Sequence, residues 1–114
     1  MQEAKLLHRI VVEERNLNLS HQVNLAWTAS TDPVTGYNIL RGTTATGPFT
    51  VVNSAPLAST ATTYTDIGPF STLGPYFYTA QSLNGTTVSV DSNVTAAVFL
   101  PPLPPTGLQV ASVS

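Results

Sequence analysis

The feature that most constrains the fold of this chain is a strict alternation of side-chain type that begins at residue 23. Val23, Leu25 and Trp27 are apolar or aromatic, whereas the residues between and after them are small or polar. Successive side chains of a β-strand point to opposite faces, so a period of two predicts a strand with one buried face. The turn residues Ser30-Thr31-Asp32-Pro33 end this strand.

Further short runs of the same kind follow, each bounded by turn residues. They cover residues 37–39, 49–53, 62–66, 76–82 and 87–98. The dipeptide Asn84-Gly85 between the last two runs is typical of a type I′ hairpin turn, because both residues tolerate a positive φ. No helical period follows residue 16. Many short strands at this spacing predict an all-β sandwich or barrel.

The first fifteen residues differ in composition from the rest, since they hold six of the ten charged residues. Arg9 and Glu13, four residues apart, would support a short helix. Ile10-Val11-Val12 would support a strand, because β-branched residues favour strands. We favour a strand within residues 3–15 and assign residues 1–20 as an atypical N-terminal segment that includes the first strand.

Charge is scarce elsewhere, and this excludes several functions. Charged residues make up 9% of the chain, and only four residues are cationic, so no basic patch is expected to neutralise the phosphates of a nucleic acid. No run of 18 or more apolar residues is present to insert into a membrane.

Groups that carry catalysis or bind metal are few and far apart. His8 and His21 are the only histidines, and cysteine is absent, whereas zinc sites need three or four such ligands in local pairs. Asp32, Asp66 and Asp91 form no calcium-binding loop, and Asp32 and Asp66 are interpreted as turn or strand-end residues. We therefore expect no metal, no cofactor and no enzymatic activity.

In their order, these elements resemble the fibronectin type III family, especially its bacterial members. The segments that carry the resemblance are His21-Gln22-Val23-Asn24-Leu25-Ala26-Trp27-Thr28-Ala29-Ser30, Thr35-Gly36-Tyr37-Asn38-Ile39-Leu40-Arg41-Gly42-Thr43, Gly47-Pro48-Phe49-Thr50, Thr63-Tyr64-Thr65-Asp66, Tyr76-Phe77-Tyr78-Thr79-Ala80 with Leu83-Asn84-Gly85, and Ser92-Asn93. They are similar to that family's strands B, C, C′, E, F and G. The resemblance covers residues 21–98.

The resemblance implies a seven-stranded, immunoglobulin-like Greek-key β-sandwich. Trp27 would pack between the sheets against Tyr37 and Tyr78, and Tyr76 would form a tyrosine corner. The sequence Leu73-Gly74-Pro75 before Tyr76 departs from the family's usual spacing. The period-two placement of the aromatic residues favours a core over a sugar-binding stripe. The predicted core consists of Trp27, Tyr37, Ile39, Tyr64, Tyr76 and Tyr78.

The C-terminal residues contain a second family feature in an unexpected place. Residues 1–15 lack the Pro-Pro-x-Gly-Leu entry of the family's strand A, whereas Pro104-Pro105-Thr106-Gly107-Leu108 matches it. Residues 99–105 are assigned as a Pro-rich linker, which favours a stiff polyproline II conformation. Residues 106–114 are then either the start of a next module or a strand, with Leu108 and Val110 on one face, that adds to another molecule.

Together these features predict a non-catalytic module, with its domain at residues 21–98, from a larger secreted or cell-surface protein. The module would space neighbouring domains of the same polypeptide or bind a protein or carbohydrate. The alternative is a self-assembling subunit, a filament or a domain-swapped homo-oligomer, that uses the strand 106–113.

Overall fold

A computed structural model describes residues 20–114, and within this range the chain forms strands and no helix. All strand pairs are antiparallel. The prediction of an all-β fold is confirmed for these residues. The strand predicted within residues 3–15, including Ile10-Val11-Val12, lies outside the described residues.

The strands follow one another through short turns. Their bounds are β1 Val23–Ala26, β2 Gly36–Gly42, β3 Thr50–Val51, β4 Leu57–Ala58, β5 Thr63–Asp66, β6 Phe77–Asn84 and β7 Thr87–Val88.

Two sheets are present in residues 20–114. Strands β1 and β5 form the smaller sheet, with Val23 opposite Asp66 and Ala26 opposite Thr63. The larger sheet has the order β3-β2-β6-β7. Strand β4 also pairs with β2. Its centre is the β2–β6 pair, which runs from Gly36 opposite Leu83 to Gly42 opposite Phe77.

The core lies between these two sheets, an arrangement that fits a β-sandwich. The buried cluster contains Ile39, Tyr76, Tyr78 and Leu100. Partly buried side chains of the smaller sheet, including Val23, Leu25, Trp27 and Tyr64, pack against it. Burial of these apolar surfaces from both sheets holds the sheets together, because each Å² of apolar surface removed from water contributes about 25 cal/mol.

Strands β3 and β4 are held against β2 by the side chain of Asn53 between them. Asn53 is 7% exposed, and its Oδ1 accepts the N–H of Ile39 at 2.8 Å. Its Nδ2 donates to Asn38 Oδ1 at 3.1 Å and to the carbonyl of Ala55 at 2.8 Å. The amide thus satisfies a buried N–H of β2 where the paired strand is interrupted, which avoids the cost of an unpaired polar group.

The segment after β7 follows β6 with a different period. Residues 89, 92 and 95 each donate their N–H to a carbonyl of β6, namely those of Ser82, Ala80 and Tyr78, at 2.8–2.9 Å. Their hydroxyls accept the N–H groups of the same three β6 residues, at 2.9–3.1 Å. Val98 closes the series with two backbone bonds to Tyr76.

Three residues of this segment therefore span the same length as two residues of β6. A side-chain hydroxyl of the segment accepts each β6 N–H that a backbone carbonyl would accept in a regular strand pair. Regular pairing is limited to Thr87–Val88. The sequence predicted one strand over 87–98 with an irregularity near Asp91-Ser92. The irregular pairing instead begins at Ser89 and continues to Thr95, and the spacing of Ser89, Ser92 and Thr95 that produces it is visible in the sequence.

Gly74 lies where the backbone turns into β6. It has φ +116, and a Cβ built there would meet the carbonyl oxygen of Val98 at 2.6 Å. Only glycine fits this close approach. The same turn lets the carbonyl of Leu73 accept the N–H of Leu100 at 2.8 Å.

We predict that Ser92→Ala destabilises the fold by about 0.5–1.5 kcal/mol, because the N–H of Ala80 loses its protein acceptor. The measurement is the free energy of unfolding from denaturant titration. Ser59→Ala is the control, since Ser59 is exposed, and surface substitutions of this kind usually change stability by less than about 0.5 kcal/mol. Equal stabilities of the two variants would contradict a structural role for the hydroxyl series.

Candidate functional site

A buried ion pair joins the two sheets. Arg41 follows Tyr37 and Ile39 on the inner face of β2, and its Nη1 lies 2.6 Å from Oδ2 of Asp66, the last residue of β5. The side chain of Asp66 is 2% exposed and that of Arg41 is 19% exposed. Tyr78, which lies opposite Arg41 on β6, donates its hydroxyl to the same Oδ2 at 2.7 Å.

The second carboxylate oxygen of Asp66 is also satisfied, because Oδ1 accepts the N–H of Gly68 at 3.0 Å. Three donors therefore hold this carboxylate, and one is cationic. Charge-assisted hydrogen bonds of this kind are roughly twice as strong as neutral ones. Such an arrangement fixes the carboxylate in place between the two sheets.

The charges and burial shift the pKa values of the two donors. Burial lowers the pKa of Arg41, but the hydrogen bond and the charge of Asp66 outweigh this effect and raise it above its ordinary value. Burial raises the pKa of the Tyr78 hydroxyl, and the hydrogen bond and charge of Asp66 raise it further. Both donors therefore keep their protons at neutral pH.

Arg41 also stacks against aromatic rings. Its guanidinium carbon lies 4.8 Å from the centre of the Phe70 ring and 5.4 Å from that of Tyr76, within the range of cation–π attraction. Its Nη2 donates to the carbonyl of Pro69 at 3.0 Å. A surface groove of about 630 Å³ passes over this residue, but both terminal nitrogens of Arg41 already have partners there.

The Tyr76 hydroxyl bonds the backbone of the turn that precedes β6. It donates to the carbonyl of Thr72 at 2.8 Å and accepts the N–H of Thr72 at 3.1 Å. The turn before β6 is thereby tied to the core, despite the departure of Leu73-Gly74-Pro75 from the expected spacing.

The predicted core aromatics come together between the sheets. Tyr37, Tyr76 and Tyr78 are buried, as is Ile39, whereas Trp27 and Tyr64 are partly buried. Trp27 and Tyr37 are in ring contact, with centroids 5.6 Å apart. The Tyr64 hydroxyl donates to the carbonyl of Val52 at 3.3 Å.

A second groove runs beside β1, and Trp27 lines it. We define the β1 groove as the cleft between residues 25–28 and the segment 89–95, which comprises two adjoining cavities of about 540 Å³ and about 90 Å³. The indole N–H of Trp27 is buried and has no acceptor among the described residues. The wall that faces Trp27 is polar and includes Ser89, Asp91 and Ser92.

Two loops meet at one end of the body. The N–H of Thr35 donates to the carbonyl of Leu83 at 2.7 Å, and its hydroxyl accepts the N–H of Gly85 at 2.9 Å. The loop 32–36 and the turn Asn84-Gly85 therefore form one continuous surface. Loops held on a rigid scaffold are common places for binding.

The C-terminal residues leave the body after Leu100, which is 5% exposed. Residues 101–114 are exposed throughout. Leu108 is 95% exposed, Val110 77% and Val113 89%. The predicted self-association residues Leu108 and Val110 thus lie in an extended tail whose apolar side chains contact water.

Other candidate groups remain isolated. In the described part of the chain, no group of three or more His, Cys, Asp or Glu residues could hold a metal ion, and no helix is long and apolar enough to cross a membrane. His21 lies edge-on to Phe70 with ring centroids 6.5 Å apart, and His8 lies outside the described residues.

No family model and no curated protein matches this sequence. The resemblance to fibronectin type III domains therefore stays a prediction that rests on the residues themselves.

Sequence reasoning missed the contacts of Asp66 with Arg41 and Tyr78. Asp66 was interpreted as a strand-end residue, which describes its position and not its burial. A signal was present, since Asp66 and Arg41 each occupy a position that the period of two assigns to an inner face.

We predict that Arg41→Met destabilises the fold by about 3 kcal/mol, because it leaves the buried carboxylate of Asp66 without its cation. Denaturant titration measures this loss. The control is the double variant Arg41→Met/Asp66→Asn, in which neither side chain of the pair carries a charge. The double variant should lose less stability than the sum of the two single variants, and strict additivity would show that the two groups do not interact.

Proposed function

We propose that residues 20–100 form a fibronectin type III-like module, a non-catalytic domain of a larger secreted or cell-surface protein. The observation that carries the proposal is the tyrosine corner, in which the Tyr76 hydroxyl bonds the backbone of Thr72. Corners of this kind are a hallmark of immunoglobulin-like sandwiches.

The strand order supports the same assignment. Strands β3, β2, β6 and β7 correspond in order to C′, C, F and G of that family, and β1 and β5 correspond to B and E. The contact of Trp27 with Tyr37 at 5.6 Å is that expected between strands B and C. The finer topology, a seven-stranded Greek key, is part of this proposal.

The role that we propose for the module is that of a spacer between neighbouring domains. Pro101, Pro102, Pro104 and Pro105 are exposed and follow directly after Leu100, which is anchored in the core. In polyproline II conformation the rise is about 3.1 Å per residue, so residues 101–105 would separate two bodies by about 15 Å. The surface formed by loop 32–36 and Asn84-Gly85 is the proposed place for a protein or carbohydrate partner.

A second candidate function is self-assembly through residues 106–113. The observation that favours it is the exposure of Leu108 and Val110, at 95% and 77%. In a strand both side chains would lie on one face, so they would be buried if that segment joined a sheet edge.

The spacer proposal predicts a narrow distance distribution between the body and residue 106. The chain has no cysteine, so spin labels can be placed on Ser59→Cys and Thr106→Cys and their separation measured by pulsed electron paramagnetic resonance. The control carries serine in place of prolines 101, 102, 104 and 105, and it should give a broader distribution with a shorter mean.

Identical distributions in the two proteins would contradict a stiff linker. Thermal unfolding of both proteins checks that the substitutions leave the body intact. The linker residues are exposed, so we expect equal midpoints.

A further inference from the structure

The β1 groove has the properties of a slot for an extended peptide strand. On one side, β1 pairs with β5, and the N–H of Trp27 donates to the carbonyl of Thr62 at 2.9 Å. Hydrogen bonding alternates along an antiparallel pair, so the peptide groups of Asn24 and Ala26 point away from β5. In the described part of the chain, β1 has no partner on that side.

The groove beside this edge adds a second, independent observation. The buried indole N–H of Trp27 has no acceptor among residues 20–114, and a buried donor without an acceptor is unfavourable. A backbone carbonyl of a strand laid along β1 is an acceptor of the required kind. The same strand would cover the half-buried side chains of Leu25 and Trp27, which line the groove.

We propose that residues 106–113 of a second copy of this chain occupy the β1 groove as an antiparallel strand. The inference rests on the self-assembly named above as the second candidate function, and it assigns the acceptor site. Leu108 and Val110 would face inward beside Leu25 and Trp27, and Gln109 would face outward beside Asn24 and Ala26, because neighbouring side chains of a strand alternate between faces.

The direction of the tail favours a second copy over the same chain. Residues 20–22, which precede β1, and residues 100–104 line one common groove. The tail therefore leaves the body at the end where β1 begins, and by folding back it would run parallel to β1. Every strand pair in residues 20–114 is antiparallel. An antiparallel strand must enter from the opposite end, where the tail of a copy stacked head to tail would arrive.

The lengths agree with this arrangement. Eight residues of strand span about 26 Å at 3.3 Å per residue, which is more than the four residues of β1 require. In polyproline II conformation, the five residues 101–105 would span about 15 Å between Leu100 and the strand. Because the donor and acceptor surfaces differ, each added copy leaves a new slot and a new tail, and the contact builds an open chain of copies.

Cysteine cross-linking between full-length chains tests the slot. One protein carries Ala26→Cys and the other Gln109→Cys, and each is the only thiol of its chain. Residues opposite or diagonal to each other on one face of a sheet lie close enough to react. After mixing and mild oxidation we expect a mixed disulfide dimer, which loses most of its yield when the second protein also carries Leu108→Asp and Val110→Asp.

Two controls define the result that would overturn the proposal. Ser59→Cys replaces Ala26→Cys as an exposed thiol away from β1, and its cross-linking should stay at the level of random collision. Equal yields from Ser59→Cys and Ala26→Cys would contradict the slot. An Ala26→Cys yield that the two aspartates leave unchanged would also contradict the slot. A yield at the collision level, the result expected if residues 1–19 occupy the site, would contradict it as well.

The mass of the same proteins, measured without oxidation by light scattering, separates the two levels of the proposal. In one outcome the mass grows with concentration and the aspartates abolish this growth, while no specific cross-link forms at residue 26. That result would retain self-assembly and refute the β1 groove as its acceptor. A constant monomer mass would refute both. Thermal unfolding of the Leu108→Asp/Val110→Asp variant should match that of the unmodified chain, because both side chains are exposed in the monomer.

Discussion

The carboxylate of Asp66 is the point on which the packing of the two sheets depends. It lies at the end of β5 in the smaller sheet, whereas its partners Arg41 and Tyr78 lie side by side in the larger one. A chain with so few charges places one of its anions at 1% exposure, where a charge is costly unless it is paired and hydrogen-bonded. The contacts with Arg41, Tyr78 and the N–H of Gly68 meet that requirement and set the relative position of the sheets at this end.

Elsewhere in the fold, short polar side chains also satisfy buried or strand N–H groups. They accept hydrogen bonds that a backbone carbonyl would accept in a regular sheet. Asn53 supplies the acceptor for Ile39 between β3 and β4. The hydroxyls of Ser89, Ser92 and Thr95 supply three acceptors along β6. Sheet edges completed in this way are irregular, and irregular edges resist pairing with other chains. The edge of β1 that faces the β1 groove has no such protection in the described residues.

The sequence predicted the all-β class because a period of two is a local property that each strand carries on its own. The hairpin at Asn84-Gly85 was predictable for the same reason, as β6 ends at Asn84 and β7 begins at Thr87. Contacts between distant residues were not predictable in this way. The Arg41–Asp66 pair spans 25 positions. The period of two places each residue on an inner face, but a single sequence does not show that the two side chains meet. The lack of an acceptor for the indole N–H of Trp27 within residues 20–114 likewise depends on which segments surround it, and no local pattern indicates these.

The central claim is that residues 101–114 extend beyond the last buried residue, Leu100, and act between chains or between modules. The most direct test is the solution mass of the 114-residue chain beside a chain that ends after Leu100. We predict that the shorter protein stays monomeric and unfolds cooperatively, whereas the mass of the 12.0 kDa full-length chain rises with concentration. If both proteins remain monomers at every concentration, the tail does not join chains and the self-assembly part of the account is wrong.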